Sequence, residues 1–221
     1  MTSTSTAPPP SRLADDRFFV PIRPAALRVA AVTAVAFVLG GATSFGQAFL
    51  PAELASLANS ASGWTMPTAV LVFLSARRRP EAALTGALAF VALTVGYAVV
   101  SGWRGFPFDP VVWGVIGIVT GPVVGVAAHA LRRRPMEAAV GAGVLAGILI
   151  GEGAYGLVVV AETTSPVYWW AVIVLGAVLV VAMAVRLRSA VPVALMGFTT
   201  AVVAGGFILA FLALPLVFAA L

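Results

Sequence analysis

Glu152 is the acidic side chain set deepest in a long apolar run, in Gly151-Glu152-Gly153-Ala154-Tyr155-Gly156. A carboxyl at mid-bilayer costs ~2.5–3.5 kcal/mol on insertion scales, and less nearer the interface. It therefore requires a polar partner, a water-filled cavity or a proton. Tyr155 follows at i+3 and shares its helix face. A second polar group, Thr43, Ser44 and Gln47, has its members three and four residues apart, so one face of the first apolar segment is polar. With Trp113 and Tyr97, these residues outline a pocket that would hold a small molecule, with Glu152 as its anchor. The competing reading is structural: Glu152 is a hydrogen-bonded carboxyl or reaches the surface, and the aromatic residues form an interfacial belt.

Catalysis finds little support. The chain has no Cys and a single His, which removes thiol chemistry, thiolate metal sites and bis-histidine haem ligation. No His-Glu-x-x-His pair, phosphate-binding glycine loop or Asp-rich prenyl-diphosphate motif is present. Ser44 stands among glycines, but an intramembrane serine nucleophile needs a base within reach. His129 falls at the opposite depth. The Asp15-Asp16 pair reads as part of a solvated tail. No metal or cofactor is expected, and the chain is not expected to be an enzyme.

The elements that must position these residues are membrane helices. Hydrophobic residues make up 61% of the 221 and charged residues 10%, against about 25% charged in a soluble domain; mean hydropathy is +1.07. Net charge is +5, and all thirteen basic residues are Arg. They cluster in turns between apolar runs, which points to orientation in a bilayer and excludes nucleic acid as a partner. Arg77-Arg78-Arg79-Pro80 returns as Arg132-Arg133-Arg134-Pro135 and, degraded, as Arg186-Leu187-Arg188, with starts 55 and 54 residues apart. That period fits two spans and their turns.

The expectation is an all-α polytopic membrane bundle of about seven transmembrane helices, one leading helix plus three hairpins with Arg-rich cytoplasmic turns. Residues 1–24 read as a disordered cytoplasmic tail and 25–221 as a single transmembrane domain. The spans fall near 25–49, 61–76, 82–101, 110–130, 138–160, 167–185 and 191–220. The first also admits a cleaved signal peptide. The span at 61–76 is short enough for a re-entrant segment, but a full crossing keeps Arg77–Arg79 inside. Residues 50–60 read as an interfacial helical segment carrying Leu50, Leu54 and Leu57. This topology puts the amino terminus in the cytoplasm, the carboxyl terminus outside, and every Arg but Arg104 within, as in a bacterial inner membrane.

Helix packing is also suggested by spacing. Gly117, Gly121 and Gly125 repeat every four residues, as do Gly143, Gly147 and Gly151. Folding back near Arg134 sets these two ridges at matching depths, so they are expected to face one another and bring the backbones close. Trp113 and Tyr155 match in depth likewise. Pro122 predicts a kink.

In size and helix count the chain is similar to the substrate-binding subunits of energy-coupling-factor vitamin transporters, although that family has six helices. A closer resemblance rests on Gly40-Gly41-Ala42-Thr43-Ser44-Phe45-Gly46-Gln47, Leu57-Ala58-Asn59-Ser60-Ala61-Ser62-Gly63-Trp64, Thr120-Gly121-Pro122 and the segment around Glu152. Over roughly residues 40–160 the chain resembles an uncharacterised family of small multi-pass membrane proteins from actinobacteria, a domain of unknown function. The resemblance implies membrane placement and a bacterial host. The functional expectation is a small-molecule transporter or substrate-binding membrane subunit with an outer-half pocket; the alternative is a non-catalytic structural or assembly protein acting through helix contacts. Its partners are the lipid bilayer, a small-molecule ligand, and a membrane protein or second copy of the chain.

Overall fold

A computed structural model describes residues 22–219. The expected tail falls almost wholly outside them. Seven α-helices follow in order: α1 (Ile22–Phe49), α2 (Ala61–Ser75), α3 (Arg79–Trp103), α4 (Val111–Ala130), α5 (Pro135–Val159), α6 (Pro166–Leu187) and α7 (Ala190–Ala219). Among the described residues there is no strand. Six helices are long and apolar enough to cross a membrane, and α2 is the exception. The chain is thus a multi-pass helical bundle. Helices α3, α5 and α6 begin one to three residues before the apolar runs do, because Pro80, Pro135 and Pro166 occupy the first turn, where a missing N–H is harmless.

The 50–60 segment is not an α-helix. A turn at 52–54 leads into a 3-10 helix, Ala55–Asn59, with Ala58 buried. Leu54 and Leu57 remain exposed.

Helix α2 holds the centre. Its fifteen residues rise only ~22 Å, too little for a ~30 Å hydrocarbon core. Yet Ser62, Gly63, Trp64, Thr65, Thr68, Ala69 and Val72 are all buried, with α1, α3, α4 and α5 around it. A short helix is tolerated here because its ends are met by protein rather than lipid. Gly63 is required by a close approach: a Cβ there would overlap the Leu57 carbonyl oxygen.

The arginine turns gather at one face of the bundle. Arg28 pairs with Glu81 at 2.7 Å, the Glu81 carboxylate also accepts from Arg77 N–H, and Arg132 lies 3.8 Å over the Phe73 ring. Arg186 donates to the Leu131 carbonyl. Arg104 lies at the opposite face, where it donates to Ser44 and stacks on Phe45 and Phe106.

The hairpins closed by the arginine turns, α2–α3, α4–α5 and α6–α7, are not the main packing units. The extensive interfaces join α1 with α3 and α5 with α7, each a parallel pair, and α3 with α4 and α5 with α6; α6 and α7, consecutive in the chain, touch little. The expected pairing of the two glycine ridges is therefore corrected. Gly117, Gly121 and Gly125 all face α3: a Cβ on Gly121 would stand 2.6 Å from the Gly86 carbonyl oxygen, and one on Gly117 would enter the Phe90 ring. Gly143, Gly147 and Gly151 face α7, where a Cβ on Gly147 would stand 2.6 Å from Val203 Cβ. The predicted depth register does hold at the arginine face, where Gly141 abuts Ala127 and Ala130. Beyond that point each helix has a different neighbour, so α4 and α5 part.

Candidate functional site

Where α4 and α5 separate, a cleft of about 1080 Å³ opens toward the face opposite the arginine turns. Such a volume lies just above the ~300–1,000 Å³ usual for small-molecule sites. Helix α4 supplies Trp113, Ile116, Thr120 and Val124, and α5 supplies Ile148, Glu152 and Tyr155. The far wall is α7, through Val203, Gly206, Phe207, Ala210 and Phe211. The start of α2 forms the floor of the polar end, with Asn59 and Ser60 before it and Trp64 and Thr65 within it.

Glu152 is 3% exposed, and its partners are backbone groups. One carboxylate oxygen accepts from Ala61 N–H at 2.5 Å and the other from Ser62 N–H at 2.7 Å. Ser60 completes the cap by accepting from Gly63 N–H at 2.8 Å. The first N–H groups of a helix lack internal partners and carry the positive end of its dipole. A carboxylate from α5 thus offsets both its own burial and that of the α2 terminus. Tyr168 joins the assembly through a 2.5 Å hydrogen bond between its hydroxyl and that of Ser60.

The predicted site residues divide. Glu152, Tyr155, Trp113 and Gln47 line the cleft. Tyr97 stands behind the lining, donating its hydroxyl to Gln47 Oε1 at 2.7 Å and packing on Trp64 and Phe108. Thr43 and Ser44 are not part of it. Thr43 bonds the Gly40 carbonyl in its own helix; Ser44 is buried against Ser101 at 2.9 Å and receives Arg104. Thr43, Ser44 and Gln47 are all on α1, but only Gln47, nearest its end, reaches the cleft.

Sequence reasoning missed the centre of the aromatic wall. Trp64 is 7% exposed, with the rings of Phe90, Tyr97 and Trp113 all within 6.5 Å of its own. Trp169, which donates to Thr164 Oγ1 at 2.8 Å, and the stacked Phe207 and Phe211 also line the cleft. Only Trp103 and Trp170 match the belt reading, at 81% and 58% exposed. The Ser60-x-x-Gly63 spacing was the one available signal, a helix N-cap inside an apolar stretch. Trp64 Nε1 and Thr65 Oγ1 are buried without a hydrogen-bond partner among the described residues.

No curated protein and no solved structure matches the chain. A family model does, described as a family of unknown function (DUF6518) and matching residues 20–216. That match extends beyond the 40–160 stretch carrying the sequence resemblance and takes in α7, the far wall of the cleft. The chain belongs to the DUF6518 family.

Proposed function

We propose that this protein is a non-catalytic, small-molecule-binding membrane protein, a transporter or substrate-binding membrane subunit, whose ligand occupies the cleft beside Glu152. The observation that carries the reading is the cleft itself, about 1080 Å³ and lined by Trp64, Trp113, Tyr155 and Trp169 beside one buried carboxylate. Aromatic walls with a few convergent polar groups are the usual make-up of a ligand site. The positive-inside tendency supports a bacterial inner-membrane protein with the arginine-turn face of the bundle on the cytoplasmic side. On this reading the amino terminus is cytoplasmic, the carboxyl terminus is outside, and the cleft opens in the outer half.

The test needs a plug that spares the cap. Gly206 lines the cleft, and a Cβ there meets nothing within 4 Å; Gly205 has the same freedom but lies outside the lining. In a thermal-shift screen of vitamins, amino acids, nucleosides and lipids, a ligand at 100 times its Kd adds ~2.7 kcal/mol to the native state. The expected hit stabilises the native protein and Gly205→Leu, but not Gly206→Leu. Absence of any such compound overturns the reading.

A structural or assembly role is favoured by a different observation: both oxygens of Glu152 are taken up by α2. It predicts no ligand-dependent shift and recovery of a membrane-protein partner or a second copy of the chain after mild solubilisation.

A further inference from the structure

Most polar residues of the cleft gather at one end. Gln47, Asn59, Thr163 and Thr164 stand away from the arginine turns, interspersed with Phe108, Val160, Phe211 and Leu214, whereas Val124, Ile148 and Val203 close the deep end. Thr120, the polar residue deepest on the α4 wall, already bonds the Ile116 carbonyl at 2.8 Å. From Trp113 to Val124 that wall rises through eleven residue steps, ~16 Å at 1.5 Å per residue. This is about half of a ~30 Å hydrocarbon core, the depth occupied by the chains of a single leaflet.

Two walls of the cleft do not close on each other. Helices α4 and α7 share no extensive interface, and Gly206 and Ala210 are exposed although they line the cleft. A lateral path to the bilayer therefore runs between these helices. Charge narrows the occupant. Among the described residues no basic side chain lines the cleft, and the one carboxylate there, Glu152, is satisfied by Ala61 and Ser62 N–H. An anionic head group would meet like charge in a low-dielectric site with no counter-charge.

We propose that the cleft binds an uncharged single-chain amphiphile taken sideways from the membrane between α4 and α7. Its chain lies along Val124, Ile148 and Val203, and its hydroxyl-bearing head among Asn59, Thr163 and Thr164. This rests on the ligand-binding reading above and names its ligand class.

The experiment uses the tryptophans. With Trp103→Phe and Trp170→Phe, the three that remain, Trp64, Trp113 and Trp169, all line the cleft. The protein in nanodiscs is titrated with a monoacylglycerol brominated in its chain, and in parallel with the brominated fatty acid as its anion. The expected result is saturable quenching by the monoacylglycerol that removes most of the emission, is retained in Gly205→Leu and is lost in Gly206→Leu. Ala210→Leu provides a second plug should the first fail to fold. Fatty-acid anion should quench without saturating. Quenching by the monoacylglycerol that never saturates, survives both plugs or is equalled by the anion overturns the proposal. If that happens while a water-soluble compound still stabilises the native protein and not the plugged one, the ligand class falls and the binding reading stands. If neither binds, both fall.

Discussion

At the scale of single residues, Glu152 is a long-range helix cap before it is anything else. Removing it leaves two N–H groups of α2 unsatisfied in an apolar interior, each costing ~1–3 kcal/mol. Glu152→Ala is therefore expected to lower the melting temperature in detergent sharply. Glu152→Gln, which keeps one acceptor, should fall between it and the native protein. Equal melting of all three would remove the capping account. Ser60→Ala should cost ~1 kcal/mol, the usual value of an N-cap hydroxyl. That Glu152 demanded a partner was legible in the sequence, because a buried carboxyl always does. Which partner was not, since Ala61 and Ser62 lie some 90 residues away and contribute backbone rather than side chains.

Glycine ridges decide how the helices stand. Their role in close packing was readable from spacing of four, but spacing alone does not say which helix fills the groove. Gly121 meets Gly86 of α3 and Gly147 meets Val203 of α7, so the two belong to separate interfaces with no shared partner. Gly121→Ala and Gly147→Ala should each destabilise, and their double variant should equal the sum within ~0.3–0.5 kcal/mol. Marked non-additivity would point instead to a single α4–α5 seam. Gly205→Leu, which meets open space, should stay within ~0.5 kcal/mol of the native protein. Arg188 closes α6 with φ of 51°, a conformation costing a side-chain-bearing residue roughly 1–2 kcal/mol. Arg188→Gly should accordingly raise the melting temperature.

For the whole molecule, the absence of cysteine makes topology directly measurable. A single cysteine at Arg133 should react with an impermeant maleimide only in inside-out vesicles, and one at Thr163 only in intact cells. Labelling of both from one side would refute the proposed orientation. Composition, the arginine-turn period and the lengths of the apolar runs by themselves determined a multi-pass helical bundle and which helix ends share a face. They do so because hydrocarbon forces every backbone group into internal hydrogen bonds, and positive charge resists translocation. Matching depths across the turn at Arg134 also brought Trp113 and Tyr155 to one level, and both line the cleft. Tertiary structure alone decided that α4 turns its glycines to α3 while α5 turns its glycines to α7. It alone sank the start of α2 beneath Glu152 and left Thr43 and Ser44 out of the cleft that Gln47 lines. These choices depend on which helices are neighbours, and in a chain where every helix is apolar nearly all round, the hydrophobic pattern does not distinguish a face that meets protein from one that meets lipid.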